Sequence, residues 1–576
     1  MNRLSSISTS FAAVTMLSLL WATIAWAQAQ PSDRHDVMSA SSIVTSSGAG
    51  SSTATSRFAG LVPNTKVNAA QVGPNIRVND PQQPFPNGLL GRSETSVAGT
   101  DDGQLLVVGF NDAQGFCDPL FGGGCTNENP PGLSGYGFSS DGGLTFTDGG
   151  APPAFGTNVF TRGDPWLDRG GFDNATFYYA NLAIDATSGA SLGASVHRGH
   201  FNNGSFAFED VQAFNSPNSA DSYDKEAIAA AKDGSGAAYV TLTNFKQVCG
   251  VPGSSFGEIT VWRTHDGGIT WQGPVVAGPD LSDLTTCGPN GPTGGILQQS
   301  SVPAIGPNGE LYVAWSQGPT FSASGLSTDA KIVAAKSLDG GVTFGAPVIV
   351  ASINSMRRDT PVGYNRNRIN DHPRMTVATT GPNQGRVYVV FYNPAAPVRP
   401  EPPVTCPSGL PPSAVCEGQN LVSSQVFISQ SNDMGATWGT PVALAPAEPA
   451  TGVKRFWPVV NVEPGGQVDV VYLESQETTT PSNPECIVRV GGSLRRVGPA
   501  NSLVNTFWVQ SQDGGNSFNA PIPISTTTSN WCTAVSDIRP NFGDYIGAAA
   551  GGDLVMATWS DGRNGVPDTF YTTGSQ

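Results

Sequence analysis

The sequence predicts an all-β chain folded as a β-propeller, a ring of four-stranded antiparallel sheets, and three observations carry that expectation. A turn motif, S/T-x-D-x-G-x-T/S-aromatic, recurs five times, an apolar strand recurs seven times, and no segment beyond the N-terminal region sustains a 3.6-residue period. Composition agrees. Gly (70) and Pro (45) mark a turn-rich chain, and only 13% of residues are charged. With 38% hydrophobic residues and no three-residue Gly period, wholly unstructured and collagen-like chains are excluded. A formal charge of −16 disfavours a nucleic-acid partner.

Residues 1–29 carry Arg3, an apolar run from Phe11 to Trp26, and small residues at Ala25, Ala27 and Ala29 that suit A-x-A cleavage. This pattern predicts a signal peptide and a secreted or periplasmic product. Thr15, Ser18 and Thr23 interrupt the run, and no later segment suits a membrane span. Residues 30–69, rich in Ser, Thr, Gly and Ala, bury too little surface to offset ordering entropy and read as a flexible leader before a propeller over 70–576. The eight cysteines fall into sequence-local pairs: Cys117 with Cys125, Cys249 with Cys287, Cys406 with Cys416, and Cys486 with Cys532. An even count in an exported chain favours disulfides, and no CxxC spacing suggests zinc.

The five turn motifs are SSDGGLTF (Ser139 to Phe146), THDGGITW (Thr264 to Trp271), SLDGGVTF (Ser337 to Phe344), SNDMGATW (Ser431 to Trp438) and SQDGGNSF (Ser511 to Phe518). Asp and Ser/Thr side chains can bind the backbone of a tight turn while Gly takes a positive φ, so each copy predicts a stapled hairpin. A sixth, degenerate copy, HRGHFNNGSF (His197 to Phe206), keeps the Gly and the aromatic but loses the Asp. Between them lie the apolar strands LLVVGFND, TFYYANL, AAYVTLT, LYVAWSQ, RVYVVFYN, QVDVVYLE and LVMATWSD. Each follows a shorter strand that opens on polar residues, near Glu94, Asp164, Asp224, Ser301, His372, Trp457 and Asp544.

From Glu94 to Asp544 is 450 residues over six intervals, or 75 per unit, enough for four strands. Seven blades are expected, with six as the alternative and two separate β domains as the competing architecture. The last unit lacks a closing strand, which PNIRVN (Pro74 to Asn79) can supply from the N-terminus.

The five motifs resemble the Asp-box, or bacterial neuraminidase repeat, and the chain from about residue 70 to 576 resembles secreted members of the sialidase superfamily of propellers. The resemblance implies a structural role for Asp141, Asp266, Asp339, Asp433 and Asp513. It also implies a glycan substrate, three arginines that hold a carboxylate, a Tyr nucleophile assisted by Glu, and an Asp acid/base. The family's early F/Y-R-I-P signature is absent: Arg77 stands in PNIRVN and Arg92 in GRSETS.

In a propeller the loop into each innermost strand opens on one mouth of the central channel. Those entries contain Arg92 and Glu94; Arg162 and Asp164; Asp221, Asp224, Lys225 and Glu226; Asp371, His372 and Arg374; Arg455 and Trp457; and Arg539, Asp544 and Tyr545. Carboxylates and guanidiniums in a partly desolvated mouth can separate their pKa values, as acid/base chemistry requires. Three readings stand. As a glycoside hydrolase, the chain would bind an anionic sugar through Arg92, Arg162, Arg374 and Arg455, with His372 and Trp457 beside it. Tyr545 would be the nucleophile, Glu94 or Asp544 its base, and Asp164 or Asp224 the acid. As a binding propeller, the same mouth would recognise a glycan or protein, with Trp166, Tyr223 and Trp457 as stacking surfaces. As filling, the polar groups would pair with one another.

No cofactor is expected. Asp221, Asp224 and Glu226 offer a weak calcium possibility, without an EF-hand loop. The histidines form no HExxH spacing, and no G-x-S-x-G elbow is present. A monomer is expected, with carbohydrate or glycoconjugate as its partner.

Overall fold

The computed structural model describes residues 70–576 except 83–88, 114–131, 154–158, 186–190, 323–324, 328, 358–359, 367, 396–421, 446–448, 451, 479–485, 491–492 and 498–500. The expected signal peptide and leader, and Cys117, Cys125, Cys406 and Cys416, lie outside the described residues. Described residues contain no helix, and none therefore long and apolar enough to cross a membrane.

The chain folds as a β-propeller. Five separate sheets, rather than the seven expected, stand as blades. The first comprises Arg92–Gly99, Leu106–Asp112, Ser134–Ser139 and Thr147–Gly150; the second comprises Trp166–Gly170 and Val159–Thr161 beside Thr176–Asp185, then Ser191–Asn202 and Ser205–Asn215. The third runs Ser222–Ala230, Ala238–Phe245, Glu258–Thr264 and Gln272–Gly278. The fourth runs Gly295–Ile305, Leu311–Ser322, Asp329–Ser337 and Val348–Asn354.

Next comes a nine-stranded sheet. It contains one run of Arg374–Val377, Val387–Pro394, Ser424–Ser431 and Val442–Ala443, and a second run of Val453–Val462, Val468–Thr478, Asn501–Ser511 and Ile522–Pro523, with Ser529–Asn530. A single parallel bridge, Ser424 to Lys454, joins the two runs. The fifth separate sheet contains Gly547–Gly551, Leu554–Asp561 and Asp568–Ser575, completed by the N-terminal Gln71–Val72 and Ile76–Arg77. The expected closing strand is therefore present: Ile76 faces Tyr571 and Arg77 faces Phe570.

All seven apolar runs are the second strands of their units. They are buried on both faces, as in Leu106–Asp112 and Ala238–Phe245, because each sheet packs between two neighbours. The five Asp hairpins have the expected local bonds. In each, Ser or Thr donates to the Asp carboxylate, which accepts the backbone N–H and hydroxyl of the Thr or Ser four residues on, as for Asp266 with Thr264 and Thr270. The degenerate copy turns differently. Asn202 pairs with Ser205 around Asn203 (φ 51°) and Gly204 (φ 83°), a two-residue Asn-Gly hairpin that needs no Asp.

Each Asp hairpin also sits on a tyrosine of the preceding unit. Tyr178 donates to the Gly267 carbonyl and Tyr388 to that of Gly514, at 3.1 and 3.0 Å. Tyr239 packs on Gly341 and Tyr312 on Gly435. Tyr571 of the last sheet packs on Gly143 of the first so closely that a Cβ there would lie 2.1 Å from the ring. The Asp hairpins thus fasten neighbouring sheets together, including the last to the first.

The Cys249–Cys287 disulfide is present, with Cα atoms 5.7 Å apart, and Cys532 is also disulfide-bonded. Nothing is described of the Cys486 side chain.

Tyr571→Ala is expected to lower unfolding free energy by about 3–5 kcal/mol, measured by denaturant titration, because it empties the seat between the last and first sheets. Acid is expected to weaken the hairpins. Their bonds hold Asp266 and Asp433 down to about 2, against burial in the case of Asp266, so this stabilisation is complete above the ordinary carboxylate range near 4. It is lost as pH falls toward 2, and melting temperatures of wild type and Asp433→Ala should converge over that window.

Candidate functional site

The first strands bring the expected entry residues to the axis by a shared backbone device. Register shifts interrupt pairing between Ser93 and Ser96, Asp224 and Ala227, Gln299 and Val302, and Phe456 and Val459. Glu94, Lys225, Ser300 and Trp457 sit in these bulges with φ of 50–63°, and Asp164 has φ 56° just before its strand. A bulge re-aims a side chain, and a left-handed non-Gly residue there is a strained position that surrounding contacts must hold. Here those contacts are ionic.

The Lys225 ammonium lies 3.5 Å from Glu94, 2.9 Å from Asp544 and in contact with Asp164, all four groups almost completely buried. Asn111 donates to Glu94 at 3.0 Å, and Gln299 donates to Asp224 at 2.6 Å. Asp544 also pairs with Arg366 and accepts from Tyr364 at 2.9 Å and Asn370 at 3.0 Å. Burial, followed by the charge of Asp164, pushes the Glu94 carboxyl well above its ordinary value. Burial also raises Asp224 and Glu226, the latter strongly. Asp544 goes the other way: burial pushes upward, but Arg366 and Lys225 hold it well below the carboxylate range. Carboxyls driven upward by burial and one held down by its cationic partners thus share a dry centre.

The remaining expected residues divide. Tyr545, Trp166, His372 and Arg374 form a second layer. Arg374 lies 3.7 Å over the Trp166 ring and 5.0 Å from that of Tyr545, and the His372 ring is 5.5 Å from Tyr545. The Tyr545 hydroxyl donates to the Pro165 carbonyl at 2.9 Å, and burial pushes it well above its ordinary pKa. Burial depresses His372, favouring neutral imidazole. Trp457 is buried edge-on against Phe456, with ring centres 4.9 Å apart, and presents no stacking face to solvent.

The arginines do not converge. Arg92 pairs with Asp112 at 2.6 Å, Arg455 with Glu474 at 2.8 Å, Arg374 is on the Trp166 ring, and Arg162 is half-buried beside Leu182, to whose carbonyl its backbone donates. In place of the expected common clamp, Arg92 and Arg455 pair along their own sheets and Arg374 reaches across to Trp166. The possible calcium ligands separate as well. Asp221 binds Asn218, Asn244 and the Gln247 backbone, whereas Asp224 binds Gln299; among the described residues no His/Cys/Asp/Glu group could hold a metal.

Sequence reasoning missed the segment between the fourth sheet and Arg374. It supplies Tyr364, Arg366, Arg368 and Asn370, and Arg368 donates to Asn370 at 2.6 Å. Asn365 and Asn541 exchange backbone-to-side-chain bonds at 3.1 and 2.9 Å, seating this segment on residues 538–544. A signal existed: Arg357, Arg358, Arg366 and Arg368 lie within twelve residues of a chain poor in charge.

Toward the opposite end, the first strands enclose a cavity of about 570 Å³. Trp166 and Arg374 line it, and its rim includes exposed Asp101, Lys232, Asp233 and Thr379 in the turns that follow these strands. Those turns share an end with the Asp hairpins, since Gly142 donates to Gln104 and Gly267 to Gly236.

No family model matches the chain, and no curated protein matches it. Among solved structures, a protein of unknown function from Dyadobacter fermentans is similar, with 14% identity and a TM-score of 0.39 over 88% of this chain and 100% of that one. An α-L-arabinofuranosidase from Fusarium graminearum has 12% identity and a TM-score of 0.36, over 87% and 97%. A sialidase from Trypanosoma rangeli has 10% identity and a TM-score of 0.34, over 89% and 60%. Likenesses this distant carry no inference about activity.

Asp544→Asn is expected to destabilise the protein by about 3–5 kcal/mol, because it leaves Lys225 and Arg366 short of a buried counter-charge. Glu94→Gln, at a carboxyl whose charged form burial already disfavours, should cost much less. Denaturant titration of the two variants at neutral pH distinguishes them, and equal losses would contradict the opposed shifts of the two carboxyls.

Proposed function

We propose that this chain is an exported glycan-directed propeller of the Asp-box kind that recognises its carbohydrate without sialidase chemistry. The carrying observation is the scattering of Arg92, Arg374 and Arg455 onto separate partners, with the Tyr545 hydroxyl bound to the Pro165 carbonyl. A carboxylate clamp needs guanidiniums aimed at one point, and a nucleophile needs a base within hydrogen-bond reach. Support for a glycan comes from the five Asp motifs and the family they resemble. Export is supported by the N-terminal pattern and by the Cys249–Cys287 disulfide.

The nine-stranded sheet is best counted as two blades. Only one bridge joins its two four-stranded runs, and Tyr388 of the first seats the Asp hairpin of the second as between separate sheets. That count gives seven blades.

A hydrolytic reading retains one specific support, the opposite shifts of Glu94 and Asp544 at the centre, since carboxyls driven apart in this way are what glycoside hydrolysis uses. Both carboxyls are inaccessible, so substrate would have to displace the Tyr364–Asn370 segment.

The test pairs a panel of fluorogenic glycosides, sialosides included, with a glycan array. Purified wild type is expected to release no fluorophore above background and to bind a defined set of glycans, with Tyr545→Phe unchanged in both assays. Turnover by wild type that disappears in Tyr545→Phe or Glu94→Gln, with the variant still folded, would overturn recognition in favour of catalysis. Absence of both turnover and glycan binding would overturn the glycan assignment itself.

A further inference from the structure

We propose that the axial cavity is a binding site for a small organic monocarboxylate with an uncharged body, held by Arg374 at its inner end and entered from the Asp-hairpin face. This site lies beyond the glycan reading and does not depend on it, because it opens on the Asp-hairpin face and is not lined by Glu94, Lys225 or Asp544.

Arg374 carries the inference. It is 7% exposed and lines the cavity, yet among the described residues no carboxylate pairs with it. Its one hydrogen bond runs from Nη2 to the Ile546 carbonyl at 2.7 Å. Every other guanidinium or ammonium at the centre has an acidic or amide partner: Arg366 and Lys225 share Asp544, Arg92 has Asp112, and Arg368 has Asn370. A buried cation without a counter-charge is expensive unless an anion completes it. Burial alone draws Arg374 down to about 9, a cation still at neutral pH.

The chemistry of the cation selects the anion. Arg374 stands 3.7 Å over the Trp166 ring, and its bond to the Ile546 carbonyl uses one N–H of Nη2, which leaves N–H groups for a bidentate carboxylate. The surroundings disfavour a dianion. Asp168 lines the wall, with both oxygens accepting backbone N–H groups of Arg169 and Ala230, and Asp101 and Asp233 stand at the rim. Lys232 is the single basic residue beside them in the lining. Thr376 and Asn461, with Ser96 deeper in and Asn174, Thr379 and Thr380 also in the lining, offer uncharged polar side chains to hydroxyl or carbonyl groups of a ligand body, between walls rich in Ala and Val. At about 570 Å³ the cavity lies within the range of small-molecule sites.

The experiment uses the purified full chain with lactate and glucuronate as probes, and methyl glucuronate ester and inorganic phosphate as controls. Binding is read by ligand-observed saturation-transfer NMR and by tryptophan fluorescence. Both carboxylates are expected to bind with Kd of ~1 mM or tighter, and both controls at least about tenfold more weakly. Arg374→Met should weaken carboxylate binding by at least about tenfold. Thr376→Phe, which narrows the bore and keeps the guanidinium in the chain, should do the same and decides the matter where Arg374→Met does not fold. No saturation transfer to either carboxylate, phosphate binding equal to theirs, or unchanged binding in a folded Arg374→Met or in Thr376→Phe would each overturn the proposal.

Discussion

The seating of Tyr571 on the first Asp hairpin, together with the antiparallel pairing of Ile76 and Arg77 with the last strand, joins the two ends of the ring. The contacts of Asp544 at the axis presuppose that join. Glu94 and Lys225 stand in the first and third sheets, and Asp164 and Asp544 lie just before the second and last. An open arc would leave Asp544 in water and strip Lys225 of one of its three carboxylates. Closure therefore converts weak sequence-distant attractions into a buried ionic centre, where low dielectric strengthens them and makes any unpaired member costly.

The two halves of the channel follow from that centre. On the entry side, strained bulges at Glu94, Lys225 and Trp457 turn side chains inward, and the segment carrying Tyr364, Arg366 and Asn370 packs over them. Beyond the second layer of Trp166, His372, Arg374 and Tyr545, the first strands carry small residues such as Ala548 and Ala550, which leave the bore open. Arg374 stands at the boundary and belongs electrostatically to the open half, since its neighbours on the filled side are neutral His372 and un-ionised Tyr545.

Local patterns made much of the fold legible. The Asp, Gly and aromatic spacing of the five hairpins reports bonds made within eight residues, so it survives into the structure without help from distant parts. The seven apolar runs are likewise second strands because burial on both sides leaves no polar alternative. Even the degenerate copy at His197 to Phe206 was readable as a turn, and its Asn-Gly pair explains why it needs no Asp. The expected separate seven blades instead include one continuous nine-stranded sheet, since a single bridge from Ser424 to Lys454 depends on the approach of two sheets and leaves no mark in either strand.

The sequence by itself determined the all-β class, the closing N-terminal strand and the gathering of Glu94, Asp164, Asp224 and Asp544 near one axis, because periodicity and repeat spacing are properties of neighbouring residues. Only the tertiary structure decided what those groups do to one another. Arg92 and Arg455 found acids on their own sheets, Tyr545 met a backbone carbonyl, and Arg366 arrived from a segment with no repeat signature. Charge pairing in a dry interior depends on distances of a few ångströms between residues hundreds of positions apart, and no one-dimensional pattern records those distances.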